Sequence, residues 1–436
     1  MKTNIQEKLL NFQLQKTDEV ITSKAGLSIF YEVAIFLGVI DSIKKNLLQP
    51  KSNRGFMPEE YVMPLVLMFC GGGRTMEDIR EITLDEGLRS LCKLSRIPSS
   101  DSVGEWIRRD NLLGTKKINE QLSKTIIIKS NMDNFTLDTD ATLVETEKEC
   151  AQMTYKGFTA FSSLLSFIAD LDLCICNDYR NGAVHAGVGI TEQIEYSNNL
   201  LKSINKKLKY FRSDSGGYDS KIINFCMKNG IVFTITADQD KAVKHAISQI
   251  KDNEWKPLYD EKGIMTDREY ATTVHCMEKT DEAFTIVVQR WENPQLDLFE
   301  QGDFKYYVVA TNDCERTPSQ IIHFHNKRGN SENYNKELKC GFGMEYAPSR
   351  QLHANAVYFE LGILAYNLTI AVKRFFLGKE WITKTISTMR WQLIFIAGKV
   401  VNHGRQLILK IHSNYFELLK KFRENIYEQN PSFASP

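Results

Sequence analysis

The sequence predicts an α/β fold in which a mixed β-sheet is flanked by helices, with a mostly β insertion and helical regions at both ends. From residue 134 the pattern changes from helical periodicity to strand-like alternation and then to β-α-β order. Helix-start signals and helical apolar spacing precede and follow this stretch. Hydrophobic residues form 42% and charged residues 25% of the 436 residues, a composition typical of folded globular proteins.

Changes of pattern divide the chain into five regions. The first is helical, the middle of the chain is an α/β core in two parts separated by an insertion, and the last is helical and basic. The predicted bounds are 1–130, 131–237 for the first part of the core, 238–305 for the insertion, 306–370 for the second part of the core, and 371–436.

The N-terminal region is predicted to contain short helices with tight turns. One helix starts at Pro58 and ends at the glycines 71–73, and a later helix follows Pro98 and ends in Arg108 and Arg109. This arrangement fits a helix-turn-helix DNA-binding module. A generic helical subdomain fits it as well.

The core begins with hairpin strands and continues in β-α-β alternation. Its predicted elements are a strand over 135–142, strands within 163–176 broken at 170–172, a turn at 179–182, a helix over 191–207, a strand over 208–213, a helix over 220–229 and a strand over 231–236. After the insertion the core resumes with a strand over 306–310 and a helix after Pro318. This order predicts a mixed sheet with helices on its faces.

Charge is distributed unevenly along a chain whose formal net charge is +1. The insertion, with β-prone pieces at 271–276 and 284–291, carries 15 acidic and 9 basic residues, a net of −6. Residues 371–423 carry 11 basic and 2 acidic residues, a net of +9, interleaved with Trp381 and Trp391. They are predicted to form a local electropositive face for nucleic acid, the alternative being a solvated helix face.

The remaining composition excludes several classes of protein. Nine cysteines without a CxxC pair argue against a disulfide framework and a structural zinc site. The polar start lacks the apolar core of a signal peptide, and the longest apolar runs, such as 62–70, are expected to be far shorter than the roughly 20 residues of a membrane span. We therefore expect a cytoplasmic, reduced protein without a membrane partner.

Acidic residues occur where strands would bring them to one edge of the sheet. Asp138 and Asp140 are two apart on a strand and so share a face, which requires a neutralising cation if they are buried. Asp214 follows the strand 208–213. Ligands of open α/β sheets bind at the carboxyl ends of the strands, so the two strands would place carboxylates at the same edge.

A third acid lies on a predicted helix over 325–339. At about 100° per residue, with His325 at zero, Arg328 lies near −60°, Glu332 near −20° and Lys339 near −40°, so the four side chains share an arc of roughly 60°. A carboxylate between two cations suits a metal ion beside phosphates. A surface ion-pair helix is the alternative.

Three carboxylates form a sufficient oxygen cage for Mg²⁺ or Mn²⁺. Two such ions, roughly 3.5 to 4 Å apart, can stabilise the attacking and leaving oxygens of a phosphodiester displacement. No serine or cysteine nucleophile is then required, because water or a DNA 3′-hydroxyl attacks. The acids therefore predict two-metal phosphoryl transfer.

The chain resembles the DDE transposases of bacterial insertion sequences, specifically the group with a Tyr-x2-Arg-x3-Glu-x6-Lys signature. The residues that carry the resemblance are Asp-Thr-Asp-Ala-Thr at 138–142, Arg-Ser-Asp-Ser-Gly at 212–216 and Arg-x3-Glu-x6-Lys at 328–339. Shorter similarities at 98–100, 179–182 and 364–368 extend it over residues 50 to 410. The resemblance implies an RNase H-like core, a β insertion between the second Asp and the Glu, and cut-and-paste transposition.

The resemblance assigns roles to particular residues. It implies that Asp140, Asp214 and Glu332 are the catalytic acids and metal ligands, with Asp138 as an outer partner or alternate ligand. Arg328, Lys339 and His325 would contact DNA phosphates. His325 stands where the signature has Tyr; an imidazole can also donate a hydrogen bond.

The implied partners are double-stranded DNA, as terminal inverted repeats and as target, and a second copy of the chain in a homodimer on DNA. The implied cofactors are two Mg²⁺ or Mn²⁺ ions, and the implied location is the bacterial nucleoid. A nuclease with the same fold and a catalytically inactive DNA-binding descendant are the alternatives.

Overall fold

The computed structural model describes residues 12–52, 54–293 and 304–429 of the chain. The N-terminal part is helical, as predicted, apart from one short strand, β1 (Ile21–Thr22). Its helices are α1 (Gly26–Phe36), α2 (Val39–Asn46), α3 (Pro58–Cys70), α4 (Ile79–Leu84), α5 (Glu86–Leu91), α6 (Ser100–Ile107) and α7 (Leu112–Lys129). Parts of the predicted terminal regions and insertion, at 1–11, 294–303 and 430–436, lie outside the described residues.

The first part of the core forms the centre of a mixed sheet. Its elements are β2 (Asn134–Glu145), β3 (Gln152–Met153), β4 (Thr159–Ile168), β5 (Leu173–Asn181), α8 (Ile190–Ser203), β6 (Lys207–Ser213), α9 (Ser220–Lys228) and β7 (Val232–Thr236). The central strands lie in the order β5-β4-β2-β6-β7, with β4 antiparallel to β2 and β5, and with β6 parallel to both β2 and β7. The prediction of an RNase H-like mixed sheet flanked by helices is confirmed.

One predicted turn in the core is wrong. Tyr179, Arg180 and Asn181 belong to β5, and the chain turns only from Gly182. Asn181 pairs with Phe161 of β4, and this ladder overrides the local turn preference of an Arg-Asn-Gly sequence.

The insertion continues the same sheet. It contains α10 (Lys241–Ser248), β8 (Lys256–Tyr259), β9 (Met265–His275) and β10 (Phe284–Glu292), and it leads into β11 (Phe304–Thr311). β11 pairs with β7, and the order β7-β11-β10-β9-β8 extends the sheet on that side with antiparallel strands. The two predicted strands of the insertion are confirmed as parts of β9 and β10.

The second part of the core is helical after β11. It contains α11 (Pro318–Asn326), α12 (Asn330–Lys336) and α13 (Leu352–Ala371). A 3₁₀ turn at 327–329 joins α11 to α12, and a wider π-helical turn follows at 337–341. Because this segment winds unevenly, the regular helix predicted over 325–339 does not form.

α13 is the central helix of the molecule, and it packs against α7, α3 and β5. The 25-residue stretch Leu352–Phe376 is apolar and long enough to span a bilayer, but its most apolar window is buried within the protein. Among the described residues the bent pair α1 and α2 passes the same test of length and composition. One hydrophobic cluster runs from Ala25 to Ile426, so the N- and C-terminal helices share the core of the sheet.

The C-terminal region differs from the all-helical prediction. It contains α14 (Ile386–Met389), a hairpin of β12 (Gly398–His403) and β13 (Gln406–Ile411), and α15 (Ser413–Glu428), with β12 also pairing to β1. Gly404 and Arg405 have φ angles of 58° and 66°, the left-handed pair that a two-residue type I′ hairpin turn requires. The alternating β-prone residues on both sides of this turn were the missed signal.

Six of the eleven cations over 371–423 form ion pairs or donate to backbone carbonyls, so the charge free to contact DNA is smaller than the predicted net of +9. Arg390 donates to the carbonyls of Phe69, Cys70 and Gly341. Five others form ion pairs: Lys373–Glu337, Arg374–Asp172, Lys399–Glu19, Lys420–Glu424 and Arg423–Glu32.

Candidate active site

Two of the predicted acids meet at the carboxyl edge of adjacent parallel strands. Thr139 of β2 and Ser213, the last residue of β6, are register partners, so Asp140, the next residue of β2, lies beside Asp214, which follows the end of β6. Neighbouring strands lie about 4.8 Å apart. After Asp214 the chain turns through Ser215–Gly217, and Asp214 Oδ1 accepts the Gly216 amide at 3.0 Å.

The pKa of Asp140 reflects this setting. Burial and the charge of Asp214 raise it most, Glu332 adds to the rise and Arg328 opposes it, and the resulting pKa is about 6. Asn335 of α12 donates to Asp140 Oδ2 at 3.0 Å. The carboxyl of Asp140 is therefore held in place beside a second carboxylate, a combination that a cation would stabilise.

Asp138 occupies a different environment from Asp140, although both lie on β2. It is fully buried, and its Oδ1 and Oδ2 accept from Nε and Nη2 of Arg212 at 2.6 and 2.7 Å. Arg212 of β6 also donates from Nη1 to the Phe324 carbonyl of α11 at 2.8 Å. The neutralising cation that the sequence requires for Asp138 is thus a side chain of the protein.

Glu332 lies on α12 beside this edge, but its side chain is 72% exposed. Its Oε1 lies 4.0 Å from Arg328 Nη2. Within residues 12–52, 54–293 and 304–429, no three His, Cys, Asp or Glu side chains are arranged closely enough to hold a metal ion. The structure therefore brings Asp140 and Asp214 together, and it places Glu332 beside them with its carboxylate in solvent.

Arg328 and Lys339 point from the same helical segment towards β2. Arg328 is largely buried, and its charge reaches both Asp138 and Asp140. Lys339 Nζ donates to the Leu143 carbonyl at 2.6 Å. Asn335 lies between these two cations along the segment. It could have been predicted as a residue of the site from its position four residues before Lys339, a spacing that places both on one face of a helix.

His325 is buried rather than exposed to DNA. It is 1% accessible, its Nε2 lies 3.0 Å from the hydroxyls of Thr236 and Tyr307, and its Nδ1 lies 3.2 Å from Thr234 Oγ1. Burial and the charge of Arg328 lower its pKa to about 3, so the ring is neutral. The predicted phosphate contact does not fit this position, because the 3₁₀ turn after α11 advances about 120° per residue and separates His325 from the Glu332 side.

A groove of about 640 Å³ lies next to Asp140, along the part of β2 that follows it. It is lined by Ala141, Thr142, Leu143 and Glu145 of β2, and by Tyr155, Lys156, Phe158, Ser162, Gly182, Val184, Ala186, Lys339 and Glu345.

Comparison with known proteins identifies the family. The family model described as "Transposase DDE domain group 1" matches residues 6–429. The chain belongs to the DDE transposase family. A search of curated proteins returns no match. Among solved structures, the chain is similar to a piggyBac transposase in a cryo-EM synaptic complex with hairpin DNA, with 11% identity, a TM-score of 0.47, and coverage of 86% of this chain and 82% of that chain.

DDE transposases generally use divalent metal ions, and the donor set of this edge fits such an ion. Asp140 and Asp214 supply hard oxygen ligands on adjacent strands, and burial together with the charge of Asp214 raises the pKa of Asp140 although Arg328 lowers it. Glu332 is the further oxygen donor within electrostatic reach. Asp138 fits less well, since both of its oxygens face Arg212.

Proposed function

We propose that this DDE transposase family member is an active DNA transposase of an insertion sequence. It would cleave DNA at the ends of the element and join the resulting 3′-hydroxyl to target DNA, in cut-and-paste transposition. The observation that carries the proposal is the juxtaposition of Asp140 and Asp214 at the carboxyl edge of β2 and β6, with the α12 segment across it.

Asp140, Asp214 and Glu332 would hold the metal ions, and the exposed Glu332 side chain would turn towards the two aspartates when they bind. Two Mg²⁺ or Mn²⁺ ions would supply charge stabilisation of the attacking and leaving oxygens at this site. Asn335 keeps the Asp140 carboxylate oriented. Arg328 and Lys339 would contact phosphates near the scissile bond.

The proposed partners are double-stranded DNA, as terminal inverted repeats and as target, and a second copy of the chain. Synapsis of two element ends would require at least a homodimer on DNA. The N-terminal helices and the exposed cations of the C-terminal region would bind the element end.

A strand-transfer assay tests the proposal. Labelled DNA carrying the inverted repeats that flank the gene is incubated with the protein, Mg²⁺ and a target plasmid, and joined products are separated by size. A transposase gives labelled plasmid, whereas cleavage without joining would favour the nuclease alternative. Binding without cleavage in either Mg²⁺ or Mn²⁺ would favour the inactive descendant.

Replacement of Asp214 tests its assigned role. Asp214→Asn should abolish cleavage and leave DNA binding within about threefold of wild type, because the amide still accepts the Gly216 N–H but no longer carries charge. Asp219→Asn is the matched control, since Asp219 Oδ1 accepts the Lys221 amide in the same way at the start of α9. Cleavage by the Asp214 variant would contradict the assignment.

A further inference from the structure

One buried ion pair connects all three elements that carry the proposed acids. Asp138 belongs to β2, Arg212 belongs to β6, and the Phe324 carbonyl belongs to the helical segment that continues into α12. Asp138 and Arg212 are register partners on their strands. Asp140 and Asp214 follow these partners by two residues each, so the pair lies directly behind the acidic edge.

The geometry of the pair is specific to arginine. Two parallel N–H donors meet the two oxygens of Asp138, a third N–H reaches the Phe324 carbonyl, and the guanidinium carbon lies 4.9 Å from the centre of the Phe324 ring. The side chains of Asp138 and Arg212 are 0% and 5% exposed. A lysine ammonium is a point charge on a flexible stem and cannot reproduce this planar fork.

Stability alone does not account for a buried pair of this kind. Removing two charges from water costs several kcal/mol per ion, and apolar residues of similar volume often stabilise a protein by about 1–4 kcal/mol when they replace such a pair. The pair would instead provide register, because its bidentate contact joins the two strands and the third N–H joins them to the helix.

We propose that Arg212 is a positioning residue, which sets the separation of Asp140, Asp214 and the α12 segment, and that Asp138 is its counter-ion rather than a metal ligand. The inference rests on the proposed function for its catalytic consequence. Its structural content, a fixed spacing of the acids, can be measured without catalysis.

The first experiment compares Arg212→Lys with Arg316→Lys. Arg316 is a matched control, because it packs on the same Phe324 ring and pairs with the buried Asp313 at 2.5 Å, but its partner lies three residues away in one loop. Unfolding temperature, kcat and KM for strand transfer, and Mn²⁺ affinity without DNA are measured for both.

Arg212→Lys should lower kcat by about 100-fold, the loss expected from a displacement of about 1 Å at a reacting centre, with KM within about threefold of wild type. It should also weaken Mn²⁺ binding by about tenfold or more, whereas Arg316→Lys should leave both quantities near wild type. Equal effects of the two variants on kcat and Mn²⁺ affinity would overturn the proposal. If the wild type transfers no strand, the proposed function fails, and the Mn²⁺ titration still tests the positioning role.

Two further variants separate positioning from folding and from metal ligation. The double variant Asp138→Leu with Arg212→Met should unfold at or above the wild-type temperature and still show the loss in kcat and Mn²⁺ affinity; wild-type values of both would overturn the proposal. Asp138→Asn should weaken Mn²⁺ binding less than Asp140→Asn. An equal or greater loss would make Asp138 a ligand and would overturn its role as counter-ion.

Discussion

At the residue scale, two aspartates of one strand differ because of what faces them. Asp138 meets a guanidinium and is satisfied within the protein, whereas Asp140 meets Asp214 and the charge of Glu332. Burial raises the pKa of both carboxyls, but Arg212 opposes the rise at Asp138, whereas Asp214 adds to it at Asp140, whose pKa is about 6. The proposed active site is thus the part of the strand where a second carboxylate, rather than a bidentate arginine, faces the aspartate.

This difference predicts a gain in stability for Asp140→Asn in metal-free protein. The pKa of Asp140 rises from 3.8 to about 6 on folding, so folding binds a proton between these values and wild-type stability falls as pH rises through them. The asparagine variant lacks this loss. We expect the variant to equal wild type below pH 4 and to exceed it by about 1–3 kcal/mol above pH 7.

Urea unfolding in EDTA at several pH values measures this gain. Asp219→Asn is the control, measured under the same conditions. A gain at Asp140 that is the same at pH 4 and pH 8 would contradict the assignment of the pH dependence to this carboxyl. Added Mn²⁺ should reverse the order of stability, because it would bind the wild-type carboxylates and not the variant.

At the element scale, the sequence was informative where local pattern and tertiary structure agree. The strands and helices from 134 to 236 and the strands of the insertion follow from alternation and turn residues. The β12–β13 hairpin was not predicted, because the helical prediction for the whole basic region overrode the alternating β-prone residues on both sides of its turn. The burial of His325 was not predictable either, since a 3₁₀ turn of three residues changed the direction in which the helix presents its side chains.

The loop between β5 and α8 shows how an element can support the site without entering it. Arg180 donates to the carbonyls of His185, Ala186 and Val188 and so fixes the loop. A Cβ on Gly187 would lie 2.5 Å from the Gly216 carbonyl oxygen, in the turn that follows Asp214. The loop therefore packs against the backbone that orients this acid.

Two glycine substitutions test this contact. Gly187→Ala should displace the Asp214 turn, lower stability by about 1–3 kcal/mol and lower the cleavage rate at least tenfold. Gly329→Ala is the matched control in the 3₁₀ turn: a Cβ there meets nothing within 4 Å and φ is −54°. It should raise the free energy of unfolding by about 0.4–1 kcal/mol. Wild-type cleavage by Gly187→Ala would show that the loop does not restrain Asp214.

At the scale of the whole molecule, the charge available to DNA is smaller than the sequence count. The chain carries a net charge of +1, and five of the eleven cations within 371–423 form ion pairs with acids outside this range, while Arg390 binds backbone carbonyls. Arg405 at the turn of the β12–β13 hairpin and Lys410 on β13 are exposed, and within the described residues neither forms an ion pair. DNA binding by this region would therefore depend on few residues.

This reasoning gives a prediction for the salt dependence of DNA binding. The double variant Arg405→Gln with Lys410→Gln should weaken binding uniformly across DNA sequences, and it should reduce the slope of log K against log salt by about 0.9 for each phosphate that the variant no longer neutralises.

Arg374→Gln is the control, since Arg374 pairs with Asp172 inside the protein. It should lower the unfolding temperature and leave the slope unchanged. Fluorescence anisotropy titrations between roughly 50 and 200 mM salt measure the slope for the double variant and for the control. If the double variant retains the wild-type slope, the hairpin is not part of the DNA interface, and the N-terminal helices or the cations beside Asp140 must supply the phosphate contacts.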